Sequence, residues 1–259
     1  MKRITLIGAG RLATQLGRAL FDAGFIINQV FSRTEESARV LAERLNAEAL
    51  TNLDDLRNDV DAYIISVKDS ALCQLIPQVC AGRGDKLFLH TAGSMSIDCF
   101  KGFASRYGVF YPMQTFSKTR DVSFENIPIF IEGSSEEVQE DIRTLAAIIT
   151  KRVIPLDSEN RKYLHLAAVW ACNFSNYCYS VAADILGEHG IPFDVMLPLI
   201  DETTKKIHAM NPKEAQTGPA VRWDQNVIDQ QMLLMKSHSN WQAIYEVLSN
   251  NIHANDKKE

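Results

Sequence analysis

Ile4-Thr5-Leu6-Ile7-Gly8-Ala9-Gly10-Arg11-Leu12-Ala13 joins an apolar run to a glycine turn and then to an amphipathic stretch. The pattern is G-x-G-x-x-A, directly after a predicted strand and directly before a predicted helix. Gly8 permits the tight turn. Gly10 lets a ligand's phosphates approach the backbone, and Ala13 lets the helix lie close on the strand. The helix start offers unbonded N–H groups and the positive end of its dipole. The expected occupant of Gly8, Ala9, Gly10, Arg11 and Leu12 is therefore the pyrophosphate of a dinucleotide.

About 20 residues further on, an NAD site carries an acid for the adenosine ribose. Here the second strand ends Gln29-Val30-Phe31-Ser32-Arg33-Thr34, with no acid at its tip. Arg33 can make bidentate charge-assisted contacts with a 2′-phosphate, and Ser32 and Thr34 can donate to its oxygens. The competing reading is an ordinary helix cap beside an exposed arginine. The phosphate clamp makes NADP(H), rather than NAD(H), the expected cofactor.

Outward from this unit, short apolar runs alternate with helical patterns. Strands are expected at residues 3–7, 26–31, 62–67, 86–91, 108–112, 127–132 and 152–156. Helices are expected between them at 11–23, 34–45, 70–79, 96–106 and 135–149. Hydroxyls followed by acids at Ser32–Glu36 and Ser134–Glu137 mark helix starts, and Gly24 marks a helix end. Strand and helix in alternation predict an α/β fold with a doubly wound, mostly parallel sheet. Past residue 156 no strand pattern remains. Residues 157–259 read as an all-helical substrate or dimerisation domain, behind a dinucleotide domain at 1–156. One long helix is expected from Asp157 to about Gly187, buried because it is apolar. Further helices are expected at 194–210, with Pro198 in the first turn, and at 225–236 and 240–250.

Composition narrows the classes. A net charge of −5 argues against a general nucleic-acid binder, which needs a clustered basic surface. No signal-peptide pattern or membrane-length apolar run is read, so a cytoplasmic protein is expected. Five cysteines, with no C-x-x-C pair, suggest buried free thiols rather than disulfides or a zinc site, and no metal is expected. The tail Asp256-Lys257-Lys258-Glu259 is expected to fray.

Candidates for chemistry cluster at predicted strand ends, the edge that lines a cofactor crevice in such sheets. Ser66, Val67 and Lys68 are expected to border the dinucleotide. His90, in His90-Thr91-Ala92-Gly93-Ser94, is either an acid–base group or a bonded turn residue. Gln114, in Tyr111-Pro112-Met113-Gln114, can point into the same crevice. On the long helix, His165, Asn173, Asn176 and Ser180 fall within an arc of about 80° at 100° per residue. That stripe either lines a cleft or is a set of satisfied polar groups. His165 is the expected proton donor and Asn173 the expected orienting group. Arg222, in Thr217-Gly218-Pro219-Ala220-Val221-Arg222-Trp223-Asp224, either binds an anion or pairs with Asp224.

The glycine turn and Ser32-Arg33-Thr34 resemble the NADP-binding domain of the 6-phosphogluconate dehydrogenase-like superfamily. They are closest to its pyrroline-5-carboxylate reductase and deazaflavin-dependent NADP oxidoreductase branch. The wider set of His90–Ser94, Pro112–Phe116, His165 through Asn173 and Thr217–Pro219 resembles Rossmann-like proteins with a helical C-terminal domain of unknown function. The hydroxyacid dehydrogenase pair of a lysine and an asparagine three or four residues later is not reproduced. Lys162 stands eleven residues before Asn173. The resemblance implies an NADP(H)-dependent oxidoreductase acting on a small C=N or C=O substrate. The apolar long helix and its polar stripe suggest a homodimer. The alternatives are a non-catalytic NADPH sensor and a pyrroline-5-carboxylate reductase.

Overall fold

The computed structural model describes residues 1–256, so the remainder of the expected frayed tail lies outside the described residues. The chain divides into two compact units, Met1–Cys172 and the chain from Asn173 onward.

The first unit runs β1 (Arg3–Ile7), α1 (Arg11–Asp22), β2 (Ile26–Phe31), α2 (Glu35–Leu45), β3 (Glu48–Leu50), β4 (Ala62–Ile65), α3 (Asp69–Cys80), β5 (Leu87–His90), β6 (Arg106–Pro112), β7 (Ile129–Gly133), α4 (Glu136–Ala147), β8 (Val153–Pro155) and α5 (Ser158–Ala168). The strands form one sheet in the order β3-β2-β1-β4-β5-β6-β7-β8. From β3 to β6 all neighbours are parallel, so their carboxyl ends share one edge. β7 returns antiparallel to β6. The chain between them is a loop, whereas a parallel return needs a crossover.

Alternate side chains of the strands feed two cores, which is why the early strands read as continuously apolar. Ile4, Leu6, Ile27, Val30 and Ile64 pack under α1, α2 and α4. Ile7, Tyr63, Ile65 and Phe88 pack on the other face with α3. Helix α1 comes close to the sheet at Gly17, where a Cβ would lie 2.7 Å from Leu6 Cδ1. The close helix–strand packing assigned to Ala13, which is fully buried, is thus shared with Gly17.

Several expectations are corrected. The helix expected at 96–106 is a single 3₁₀ turn, Ile97–Phe100, and β6 already begins at Arg106. Phe100 is anchored in the core, and Gly102 has a left-handed φ of +83°, so the segment turns instead of continuing. Strand β3 was not foreseen; three residues at a sheet edge leave too short a pattern. Only Cys80 is a buried thiol, while Cys73, Cys172 and Cys178 are exposed. The sheet ends at Pro155, near the expected boundary, yet the division into units falls later. Ser158 and Arg161 are buried in the first unit, and α5 stays with the sheet.

The long helix is helical from Ser158 to Glu188, but as α5, a π-helical segment Val169–Phe174 and α6 (Ser175–Glu188). A π segment has more residues per turn, so the polar stripe derived at 100° per residue does not carry from His165 to Asn173. The expectation that this helix is buried also fails: Leu166 is 54% exposed and Tyr177 46%. Apolar composition measures a helix's need for cover, not the presence of cover within one chain.

In the second unit α6 is followed by α7 (Leu197–Ala209), with Pro198 in its first turn, α8 (Pro219–Arg222), α9 (Gln225–Leu234) and α10 (Ser239–Asp256). Trp223 has a left-handed φ of +50° and stacks on His253 with ring centroids 4.7 Å apart. Arg222 is exposed and makes no ion pair with Asp224 among the described residues.

His90 closes β5 inside the first unit's core. It is fully buried and stacks on Phe100, with ring centroids 5.8 Å apart. Its Nδ1 accepts the Ala92 N–H at 3.1 Å, which leaves Nε2 buried without a hydrogen-bond partner among the described residues. Burial, reinforced by the Arg161 charge, pushes its pKa down from 6.5 to about 3. The imidazole is therefore neutral in the fold, whereas the unfolded chain takes up a proton below about pH 6.5. Stability from this group is complete above pH 6.5 and is lost as pH falls toward 3. His90→Asn keeps an acceptor for Ala92 and cannot titrate. Urea unfolding between pH 6.5 and 4.5 should cost the wild type about 2 kcal/mol more than this variant, at about 1.4 kcal/mol per pH unit. Parallel stability curves would contradict the assignment.

Candidate active site

The shared strand edge gathers the segments that follow β1, β2, β4, β5 and β6. After β1, Gly8 has a φ of +119°, and a Cβ there would lie 2.1 Å from the Ser66 carbonyl oxygen. The turn therefore needs glycine for two independent reasons, φ and the close approach of the β4 end. At Gly10 an added Cβ meets nothing within 4 Å, so the space above that turn is open. No side chain caps α1 and no acid sits in its first turn, which leaves the positive end of its dipole uncompensated. Arg11 is exposed there, and Ala9 is buried beneath. This donor set fits a pyrophosphate.

After β2, the Ser32 N–H bonds the Leu50 carbonyl at 3.0 Å, which fixes the loop against β3. Thr34 occupies the N-cap position of α2, but its hydroxyl makes no capping bond. Arg33 is exposed and has no partner among the described residues. One guanidinium and a hydroxyl are thus left for a ligand, as a 2′-phosphate requires. Ser66 and Val67 are half-buried at the end of β4, and Lys68 is exposed.

The acid–base candidates sort differently from the sequence expectation. His90 is corrected: buried and neutral in the core, it cannot exchange protons with a substrate. Gln114 is exposed, and its Oε1 accepts the N–H of Thr115 at 2.8 Å. Asn173, Asn176 and Ser180 are exposed and belong to the second unit. His165 is half-buried, with Nδ1 3.1 Å from the Tyr111 hydroxyl. The two rings meet edge to face, with centroids 6.1 Å apart at 70°. Both lie against Gly93, where a Cβ would stand 2.6 Å from His165 Nδ1 and 2.9 Å from Tyr111 Cζ. Glycine at 93 is what allows the pair to form over the β5 end.

Burial pushes the Tyr111 phenol above its ordinary value; Arg161 opposes the shift and Asp69 adds to it. The phenol is thus protonated at neutral pH and lies within hydrogen-bond distance of His165 Nδ1, the donor being set by the imidazole tautomer.

Arg161 holds the pair in place. Its side chain is fully buried, with Nη1 2.5 Å from Glu132 Oε2 and Nη2 2.5 Å from the Met95 carbonyl. Ser158 donates to Glu132 at 2.7 Å and accepts from Ile97 N–H at 3.0 Å. Tyr111, Arg161, Glu132 and the Asp69–Ser94 contact were not singled out from the sequence. A signal for Arg161 existed: Ser158, Arg161 and His165 recur at i, i+3 and i+7, one face of α5. The stripe ran backward from His165, not forward.

Residues 3–92 match the family described as NADP oxidoreductase coenzyme F420-dependent, and residues 127–252 match a domain of unknown function, DUF2520. None of the curated proteins matches the chain. Among solved structures, a Bacteroides fragilis protein described as a candidate NADP oxidoreductase is 50% identical over 98% of both chains, with a TM-score of 0.95. An imine reductase from Myxococcus stipitatus in complex with NADP+ is 16% identical over 99% of this chain and 93% of its own, with a TM-score of 0.67. A pyrroline-5-carboxylate reductase from Coxiella burnetii is 15% identical over 98% and 97%, with a TM-score of 0.58. The last two likenesses are of fold alone. With the first relative spanning its whole fold, the chain belongs to the NADP oxidoreductases that join a coenzyme F420-dependent-type dinucleotide domain to a DUF2520 domain.

Proposed function

We propose that this protein binds NADP(H) and transfers hydride to or from a small C=N or C=O substrate. One observation carries the reading. The open turn at Gly10, Arg33 with no partner among the described residues, and the His165–Tyr111 pair all lie at the edge where the parallel strands of one sheet end. NADPH, when bound, supplies the hydride. The chain's own groups do the rest. Gly8, Ala9, Gly10, Arg11 and Leu12 hold the pyrophosphate. Ser32, Arg33 and Thr34 hold the 2′-phosphate, and Ser66, Val67 and Lys68 border the dinucleotide.

Reduction of C=N or C=O leaves the heteroatom in need of a proton. His165 Nδ1 and Tyr111 Oη stand within hydrogen-bond distance, and the raised pKa keeps the phenol protonated at neutral pH. His165 is the proton donor in this reading, with Tyr111 as its immediate partner. Gln114, whose amide Nε2 has no partner among the described residues, adds a donor at the β6 end.

A homodimer belongs to the same reading. Large apolar side chains stand exposed on several helices, among them Leu166, Leu199, Leu234 and Val247. Such surface calls for cover by another chain. A reducing cytoplasm suits the five free thiols, two of which, Cys80 and Cys99, burial pushes up to about 12.

Fluorescence titration should find NADPH bound more tightly than NADH. Arg33→Ala should narrow that gap by about tenfold to a hundredfold, the value of a charge-assisted contact. Equal wild-type affinities would overturn the cofactor assignment. His165→Ala should leave NADPH affinity unchanged and lower kcat on cyclic imines and ketones by about 10²–10⁴. An unchanged kcat would remove His165 from its role. No NADPH consumption across the panel would favour a non-catalytic NADPH-binding protein.

A further inference from the structure

The Asp69–Ser94 contact is used neither by the fold's core nor by the cofactor reading. Asp69 opens α3 just past the β4 end, and Ser94 follows the β5 end. The Ser94 hydroxyl donates to Asp69 Oδ2. The other carboxylate oxygen, Oδ1, has no partner among the described residues. Lys68, the preceding residue, makes no ion pair with it among the described residues.

This carboxylate stands beside the proposed proton donors. Ser94 follows Gly93, which lies directly against His165 Nδ1 and the Tyr111 ring. Asp69 is exposed, and its charge adds to the rise of the Tyr111 pKa. Arg161 is neutralised by Glu132 at 2.5 Å and fully buried, so it is not offered to a substrate. A half-satisfied carboxylate therefore remains next to the pair that handles the proton. Its chemistry favours a cation with an N–H to donate.

Resting on the oxidoreductase reading above, we infer that Asp69, positioned by Ser94, is a specificity-determining residue that selects a cationic nitrogen substrate, a protonated imine or its ammonium product, over a neutral carbonyl. The anion stabilises the protonated form of a C=N bond, the form that accepts hydride readily. A ketone oxygen carries no charge for Asp69 to meet and, having only lone pairs, is disfavoured beside a carboxylate. The same contact retains the ammonium form of the amine after reduction. Hydride transfer to the protonated imine gives the neutral amine, and His165 and Tyr111 then supply the further proton that makes it the ammonium; Asp69 sets which molecule reaches them.

Pyrrolidinium and tetrahydrofuran separate charge from shape, being five-membered rings of the same size. Calorimetric titration of the NADP+-saturated protein at pH 7 should show pyrrolidinium binding and tetrahydrofuran binding at least about tenfold more weakly. Asp69→Asn, close to isosteric, should weaken pyrrolidinium by about tenfold or more while leaving NADP+ affinity and tetrahydrofuran affinity unchanged. Ser94→Ala should weaken it less, because the carboxylate persists but loses its tether. Equal binding of the two rings, no pyrrolidinium binding, or an Asp69→Asn protein indistinguishable from wild type would overturn the inference while normal NADP+ binding leaves the cofactor reading intact. Failure of the wild type to bind NADP+ would overturn both.

Discussion

A guanidinium removed from water needs partners, and Arg161 meets Glu132, Ser158 and the Met95 carbonyl at once through Nη1 and Nη2, while its Nε is buried without a partner among the described residues. Three separate parts of the chain are thereby pinned together: the end region of β7, the loop after β5 and the first turn of α5. Breaking such a buried pair by removing one partner costs about 3–5 kcal/mol, because the other charge stays buried. The helix so pinned carries His165 one turn further on. Its contact with Tyr111 and its seat over Gly93 are consequences of that anchor. The same charge helps hold His90 neutral and opposes the rise in the Tyr111 pKa. A single ion pair thus fixes the geometry and tunes the protonation of the groups around it.

The first 34 residues were the most legible part of the chain, and the reason is physical. Gly8 must be glycine because its φ and the Ser66 carbonyl both forbid a side chain. A local constraint of that kind leaves a local mark. The parallel strands were legible for a similar reason, since burial on both faces writes a continuous apolar run. Other features depend on partners far away in sequence. Tyr111 looks like any aromatic at a strand end until α5 brings His165 to it from 54 residues on. His90 looked catalytic because its strand-end position was right, but the position said nothing of Phe100 closing over it. The π-helical segment leaves no pattern in residue types, and it alone invalidates a stripe computed for an unbroken α-helix. The exposed apolar helices show the opposite limit: the sequence recorded a need for burial without recording what supplies it.

The cofactor and substrate sides of the site differ in charge. Toward the proposed cofactor stand Arg11, Arg33 and an uncapped helix start, all suited to phosphates. Beside His165 and Tyr111, the pair proposed to handle the proton, stands Asp69, whose Oδ1 has no partner among the described residues. An anionic ligand and a cationic one would therefore be drawn to different segments of the same strand edge. Hydride chemistry needs both molecules held at once with their reacting atoms adjacent, and opposite charges sort them without a moving part. The DUF2520 portion of the chain includes α5, so the anchor and His165 come from that domain while the phosphate site comes from the other.

The central claim is that the Arg161-anchored pair of His165 and Tyr111 serves the redox centre of a bound NADP. A crystal structure of the protein with NADP+ tests it most directly. The account predicts the nicotinamide ring within about 4–6 Å of His165 or Tyr111, with room for a small substrate between them. A ring more than about 10 Å from both, beyond direct or single-water reach, would contradict it.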